Sequence, residues 1–252
     1  MIKRAIKAWL ESAGYAVYNK HTHYSRDGLN TLHNDSFRSD PVFQAAYNRG
    51  VRASNGVDPQ FEWRVHIALW AARNALRTEG DFVECGVNAG FISSSIMHGL
   101  DWNQVNRPFY LVDTFTGPVL SQYSAEEVER GRQKMATDAI AAGAYVTQVD
   151  AVRANFAEWP SAKVVQGAVP DVLGTIDAKK LAFLHLDMNC AEPERAALEF
   201  FWSRLSSGAF VLLDDYAFTG HDCQKRAIDD AARNLGADVV SLPTGQGMIM
   251  KP

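Results

Sequence analysis

From Glu62 onward the apolar positions follow two alternating periods. Val65, Leu69, Ala72 and Leu76 recur at helical spacing, which predicts a helix over about 61–77, ended by Gly80. Asp81–Cys85, Phe109–Asp113, Lys163–Gln166, Leu181–Asp187 and Ala209–Asp214 are short apolar runs, and Ala237–Ser241 and Gln246–Met250 complete a set of predicted strands. Helical patterns fall between them at about 90–100, 124–142, 191–205 and 222–235. Continuous apolar runs suit strands covered on both faces. Strand–helix alternation predicts an α/β fold, an open and mostly parallel seven-stranded sheet with helices on both faces. Only Leu242–Gly245 separate the last two strands, too few residues for a crossover helix, so the final pair is expected to be antiparallel.

The first 60 residues read differently. Residues 16–60 are rich in Asn, Ser, Asp, Arg, Tyr and His with weak periodicity, the pattern of loops and short helices outside a core. The expected division is an extension over 1–60 and a catalytic-type domain over 61–252. The opening MIKRAIKAWLESAGY reads as a short basic amphipathic helix docked on its own protein. Its apolar stretches are broken by Lys7 and Glu11, unlike the h-region of a signal peptide. Tyr15, Tyr18, Tyr24, Phe37, Phe43 and Tyr47 are candidates for a lid over an acceptor or for a homodimer contact. The segment 114–136 is a second candidate cover.

Composition narrows the function. The chain has 252 residues, 47% hydrophobic and 21% charged, which is ordinary for a globular protein. Twenty-five basic against 29 acidic residues give a net charge of -4, which argues against nucleic acid as a partner. No apolar run is long enough to span a bilayer, so no membrane partner is expected. Cys85, Cys190 and Cys223 are odd in number and lack CxxC spacing, so neither a disulfide framework nor a zinc module is expected, and a reducing cytoplasm is the expected location. His21, His23 and His33 do not have metal-site spacing.

In open α/β sheets ligands bind beyond the carboxyl ends of the strands. Those ends carry Glu84-Cys-Gly86, Asp113, Gly167, Asp187 and Asp214-Asp215. The turn Glu84-Cys-Gly86-Val-Asn88-Ala-Gly90 allows close backbone approach to a ligand. Glu84 stands where a dinucleotide fingerprint would have its first glycine; a carboxylate there repels pyrophosphate and attracts a cation. Asp113 is placed to hold two ribose hydroxyls. A cationic nucleoside without phosphates, S-adenosylmethionine, satisfies both. Gln166 and Gly167 are expected near its adenine. The candidate cofactor-binding set is therefore Glu84, Gly86, Asn88, Gly90, Asp113, Gln166 and Gly167.

Asp187, Asp214 and Asp215 end adjacent strands and are expected to converge. Three carboxylates in one cleft call for a cation, and hard oxygen ligands suit Mg²⁺ or a similar ion. Such an ion would lower the pKa of a hydroxyl acceptor. The competing reading makes Asp214 or Asp215 a helix or turn cap. His185 is read as a hydrogen-bonded core histidine, Arg64 as a structural ion-pair partner and His221 as a weak acceptor-side candidate.

The stretch LHLDMNCAEPERAALEFFWSRLSSGAFVLLDDYAFTGHDCQKRAIDD resembles the macrocin O-methyltransferase family, class I S-adenosylmethionine-dependent enzymes that methylate sugar hydroxyls of natural products. That family's pattern is L-D-x-D-x-Y-E-x-T, a helix, then G-G-x-x-x-x-D-D-Y. The resemblance covers roughly 60–250 and includes FVECGVNAG at the cofactor turn. It implies a Rossmann-like methyltransferase fold, metal-binding roles for Asp187, Asp214 and Asp215, and a catalytic base role near Asp187. The chain departs from the family at Asn189, Ala191, Ala209 and Lys225, none of which is a proposed metal ligand. The expected function is O-methyl transfer to a hydroxylated small molecule, a sugar or natural-product glycoside. The alternatives are a catalytically degenerate methyltransferase fold acting as a binding protein, and an NAD-dependent oxidoreductase or epimerase.

Overall fold

A computed structural model describes residues 2–15 and 24–252. The chain begins with α1 (Ile2–Ser12), a two-stranded hairpin of β1 (Tyr24–Arg26) and β2 (Leu29–Thr31), then α2 (Pro41–Ala53) and α3 (Glu62–Ala75). Next come β3 (Asp81–Cys85), α4 (Phe91–Gly99), α5 (Trp102–Val105), β4 (Phe109–Asp113), α6 (Ala125–Glu129), α7 (Arg132–Ala141), α8 (Val149–Asn155) and β5 (Ala162–Gln166). The remainder is β6 (Leu181–Leu186), α9 (Ala191–Trp202), β7 (Leu205–Leu213), α10 (Asp222–Asn234), β8 (Val240–Ser241) and β9 (Gly247–Met250).

The large sheet has seven strands in the order β5-β4-β3-β6-β7-β9-β8. The first five are parallel, and β9 pairs antiparallel with both β7 and β8. This is the expected mostly parallel sheet with an antiparallel end. Successive side chains alternate between faces. Phe82, Phe109, Phe183 and Leu212 enter one core with α3 and α4, while Val83, Val112, Leu184 and Val211 enter the other with α9 and α10. Burial on both faces explains why these strands read as continuous apolar runs.

The helix expected over 124–142 is two helices, because Gly131 adopts φ +78° between α6 and α7. Ser124 and Glu127 form a capping box on α6. The larger revision lies before residue 60. Asp40 caps α2, its side chain accepting from Val42 N at 2.8 Å, and Pro41 opens the helix. Phe43, Ala46 and Tyr47 then join the core shared with α3 and α4. Phe37 stacks on His66 with ring centroids 4.0 Å apart. These residues are core rather than lid, since α4 offers them an apolar face. Tyr18, His21 and His23 lie outside the described residues. The side chains of α1 from Arg4 on are almost all exposed, Trp9 at 67%, so the expected docking of this helix is not seen. The three cysteines are free.

Candidate active site

The parallel ladder continues past the strand ends and brings the predicted residues to one edge. Gly86 N donates to Val112 O, Gly167 N to Asp113 O, Asp187 N to Cys85 O and Asp214 N to Leu186 O, all at 2.8–2.9 Å. Gly86 has φ +94°, and a Cβ there would fall 1.8 Å from the Asp187 carbonyl oxygen. Only glycine permits the first turn to pass so close to the β6 end.

Two cavities open on this edge. The narrower, about 110 Å³, is lined by Gly86, Asn88, Asp113, Gly167, Met188 and Asn189 among others. The larger, about 680 Å³, is lined by Glu84, Gly86, Asn88, Asp187 and Asp214, with Val57, Pro59, Phe61 and Phe91 on its apolar side. Gly86, Asn88, Tyr145 and Asp187 line both.

The cofactor-side residues are placed unevenly. Asp113 Oδ2 accepts from Asn88 N at 2.8 Å and its Oδ1 from Phe115 N at 2.7 Å, which fixes the glycine turn against β4. Asn88 uses its whole amide on the 144–146 loop: Oδ1 accepts from Val146 N at 2.8 Å and Nδ2 donates to Ala144 O at 3.2 Å. That places Tyr145, a residue not anticipated from sequence, between the cavities. Burial, then the charges of Asp187 and Asp215, push its phenol up. An isolated tyrosine in a loop with little periodicity gives no signal of this. Gln166 is exposed and donates to Thr114 O at 3.3 Å, outside both cavities. Gly90 also lies outside them, with φ +85° beneath the Phe156 ring, so it shapes the start of α4. Val57, Pro59 and Phe61 contribute the N-terminal wall in place of the aromatics expected there, and Pro118, Val119 and Gln122 supply the anticipated 114–136 cover.

Glu84 is 2% exposed. The β3–β6 register sets it beside His185, whose Nδ1 lies 2.9 Å from Glu84 Oε1. Among the described residues Glu84 Oε2, itself closed to solvent, has no hydrogen-bond partner, and Glu84 is one of the residues along the larger cavity. His185 Nε2 is 3.6 Å from Asp214 Oδ1, longer than a full hydrogen bond. Burial alone would lower the His185 pKa, but the two carboxylates outweigh it and hold the imidazole up to about 10. His185 is thus the buried, partnered histidine expected.

The three aspartates do converge, with a protein cation among them. Arg64 of α3 donates from Nη1 to Asp214 Oδ2 at 2.5 Å and to Asp215 Oδ1 at 3.3 Å, and from Nε to Asp27 Oδ2 at 2.7 Å. Its guanidinium lies 4.7 Å from the Phe218 ring centroid. Asp214 Oδ1 accepts from Gln246 Nε2 at 2.8 Å. Burial pushes the Asp214 carboxyl up, but Arg64, His185 and Gln246 pull it well below the ordinary range. Asp215 is raised by burial and by Asp214, against the pull of His221 and Arg64, and lines neither cavity. Asp187 is raised well above the ordinary range by burial, then by Asp214 and Asp215. His221 lies 3.7 Å from Asp215 Oδ2, and burial lowers its pKa.

In this arrangement Arg64 is the cation that faces Asp214 and Asp215. Asp214 accepts from Gln246 and Arg64, and Arg64 carries one positive charge against Asp27, Asp214 and Asp215. Among the described residues, no three His, Cys, Asp or Glu side chains are arranged to hold a metal. The metal role expected of Asp187, Asp214 and Asp215 is not shown by this geometry. Sequence spacing predicted the convergence and the ion-pair role of Arg64, but not that the two belong to one cluster.

A sheet in this order, with a glycine turn after β3 and a carboxylate ending β4, is the expected Rossmann-like fold. The chain belongs to the macrocin-O-methyltransferase (TylF) family, whose model matches residues 70–242. A Streptomyces olivaceus protein, 8-demethyl-8-(2,3-dimethoxy-alpha-L-rhamnosyl)-tetracenomycin-C 4'-O-methyltransferase, is 29% identical over 184 residues, 68% of this chain and 66% of its own length. The chain therefore spans just under two thirds of that relative. The O-methyltransferase NovP shares the fold with a TM-score of 0.66 at 19% identity, covering 86% of this chain and 99% of its own. So does CalS11, a TDP-rhamnose 3'-O-methyltransferase, with a TM-score of 0.52 at 17% identity, covering 86% of this chain and 96% of its own. Among the described residues, no helix is long and apolar enough to cross a membrane.

Proposed function

We propose that this protein is an S-adenosylmethionine-dependent O-methyltransferase acting on a hydroxyl of a sugar or natural-product glycoside. The observation that carries the reading is the meeting of two cavities at Gly86, Asn88, Tyr145 and Asp187, with Asp113 on the wall of the narrower and Glu84 and Asp214 on the wall of the larger. Family membership supports the same reaction class.

The side chains fit the donor. Asp113 has lone pairs left for ribose hydroxyls after accepting two backbone amides. Gly167, Val169 and Met188 offer a mostly apolar slot for a base. Glu84 Oε2, buried and without a protein partner, offers a site for an ammonium group. When bound, the donor supplies an electrophilic methyl on a sulfonium.

Asp187 is the group placed to take the acceptor proton, since it lines both cavities. Its raised proton affinity suits this role better than an ordinary surface carboxylate would. The acceptor oxygen forms its bond to the methyl carbon as the carbon–sulfur bond breaks, and the hydroxyl proton passes to Asp187. The products are a methyl ether and S-adenosylhomocysteine.

Calorimetric titration with S-adenosylmethionine tests the donor reading, and absence of binding by the intact chain ends it. Asp187→Asn is expected to lower kcat by roughly 10²–10⁴-fold while leaving donor affinity within about twofold. Because the base acts deprotonated and its pKa is raised, kcat in the unsubstituted chain should rise with pH through a midpoint above the usual carboxylate range. A pH-independent kcat removes Asp187 from the role.

A further inference from the structure

We infer that the Tyr145 ring recognises the sulfonium of the methyl donor, and that the Asn88 side chain serves the donor only as the positioning residue of Tyr145. The inference rests on the methyl-transfer reading above and assigns two residues of that site.

A methyl group that passes from donor to acceptor must lie where their cavities meet. Among the described residues, Gly86, Asn88, Tyr145 and Asp187 line both cavities. Gly86 has no side chain, and Asp187 takes the acceptor proton. Tyr145 is the one aromatic along the narrower cavity among the described residues, and it is half-buried. An aromatic face attracts a cation through its quadrupole, and more strongly when both are shielded from water. The charges of Asp187, Asp215 and Asp113 reach the phenol, against that of Arg132. The ring therefore stands on the acidic side of the junction, where a sulfonium is favoured.

The loop that carries the ring is held from two sides. Asn88 Oδ1 accepts from Val146 N at 2.8 Å and its Nδ2 donates to Ala144 O at 3.2 Å, so one amide grips the residues before and after Tyr145. Asn88 N donates to Asp113 Oδ2 at 2.8 Å. Asp113 is the residue assigned to the donor ribose, so a single asparagine ties that residue to Tyr145. Asn88 has φ +49°, a left-handed conformation that asparagine adopts more readily than most residues and glycine most readily of all. On the other side, Gly117 at φ +87° lets the cover segment close on the ring, since a Cβ there would fall 3.3 Å from Tyr145 Cδ2 and 2.8 Å from Ile140 Cγ1.

The test is calorimetric titration of the full chain with S-adenosylmethionine and with S-adenosylhomocysteine, which lacks the methyl and its positive charge. Tyr145→Leu should weaken S-adenosylmethionine binding by roughly tenfold and S-adenosylhomocysteine binding by less than about threefold. Tyr145→Phe keeps the ring and should hold the ratio of the two Kd values within about threefold of the unsubstituted chain. Asn88→Gly keeps the backbone donor to Asp113 and suits the positive φ; it should shift the ratio in the same direction as Tyr145→Leu. In the Tyr145→Leu background Asn88→Gly should shift the ratio no further, because residues that act through one another are not additive. An unchanged ratio in Tyr145→Leu, with both probes weakened equally or not at all, overturns the sulfonium assignment. Should Tyr145→Leu fail to fold, an unchanged ratio in Asn88→Gly overturns it. Additive shifts in the double variant overturn the role of Asn88. If neither probe binds the unsubstituted chain, the methyl-transfer reading falls instead.

Discussion

The two halves of the sheet's carboxyl edge solve the same electrostatic problem differently. Over β3 and β4, Asp113 is satisfied by backbone amides from its own strand end and from the neighbouring turn. Over β6 and β7, Asp214 and Asp215 are satisfied by a guanidinium from α3, 150 residues earlier in the chain. The amide-held carboxylate keeps lone pairs free to face a ligand. In the guanidinium-held pair Asp215 lines neither cavity and Asp214 reaches only the larger one with both oxygens hydrogen-bonded, which leaves Asp187 as the acid of this half that lines both. A carboxylate bound by backbone donors can remain a binding group, whereas one paired with a buried arginine becomes part of the scaffold.

The strongest way to break this contrast is to remove the arginine. Arg64→Met leaves Asp27, Asp214 and Asp215 buried without their cation, and is expected to cost about 3–5 kcal/mol in urea denaturation. Mg²⁺ should then raise the melting temperature of Arg64→Met and leave that of the unsubstituted chain unchanged. A large Mg²⁺-induced shift in the unsubstituted chain would restore the metal reading. On the other half, Asp113→Ala should weaken S-adenosylmethionine binding by roughly 10–100-fold, since charge-assisted hydrogen bonds to hydroxyls are lost. An unchanged affinity would move the ribose elsewhere.

The smallest expected effect sharpens the boundary between the halves, where Glu84 and Asp214 flank His185. The folded pKa of His185, about 10, lies above the ordinary value of 6.5. Its stabilising contribution is therefore complete below the ordinary value and is lost as pH rises through about 10. Urea midpoints should fall across that window, and Glu84→Gln should flatten the fall. An equal slope in Glu84→Gln would mean that His185 does not sense Glu84.

Most of the sheet was legible because its central strands β3, β4, β6 and β7 are buried on both faces and read as apolar runs. The β3 turn was legible for the same kind of local reason, since Gly86 must occupy space that no Cβ can share with the Asp187 carbonyl. The helix α2 was missed although Asp40-Pro41 is a start signal, because its polar neighbours masked the spacing of Phe43, Ala46 and Tyr47. Gln246 gave no signal, because its role depends on β9 returning beside β7.

The sequence by itself determined the seven strands of the large sheet, its antiparallel end and the glycine turn after β3, since strand period and turn chemistry are local properties. Only the tertiary structure decided which cation faces Asp214 and Asp215. A buried charge takes its partner from whichever helix packs over it. Here α3 places Arg64 there, and no spacing along the chain encodes that distance.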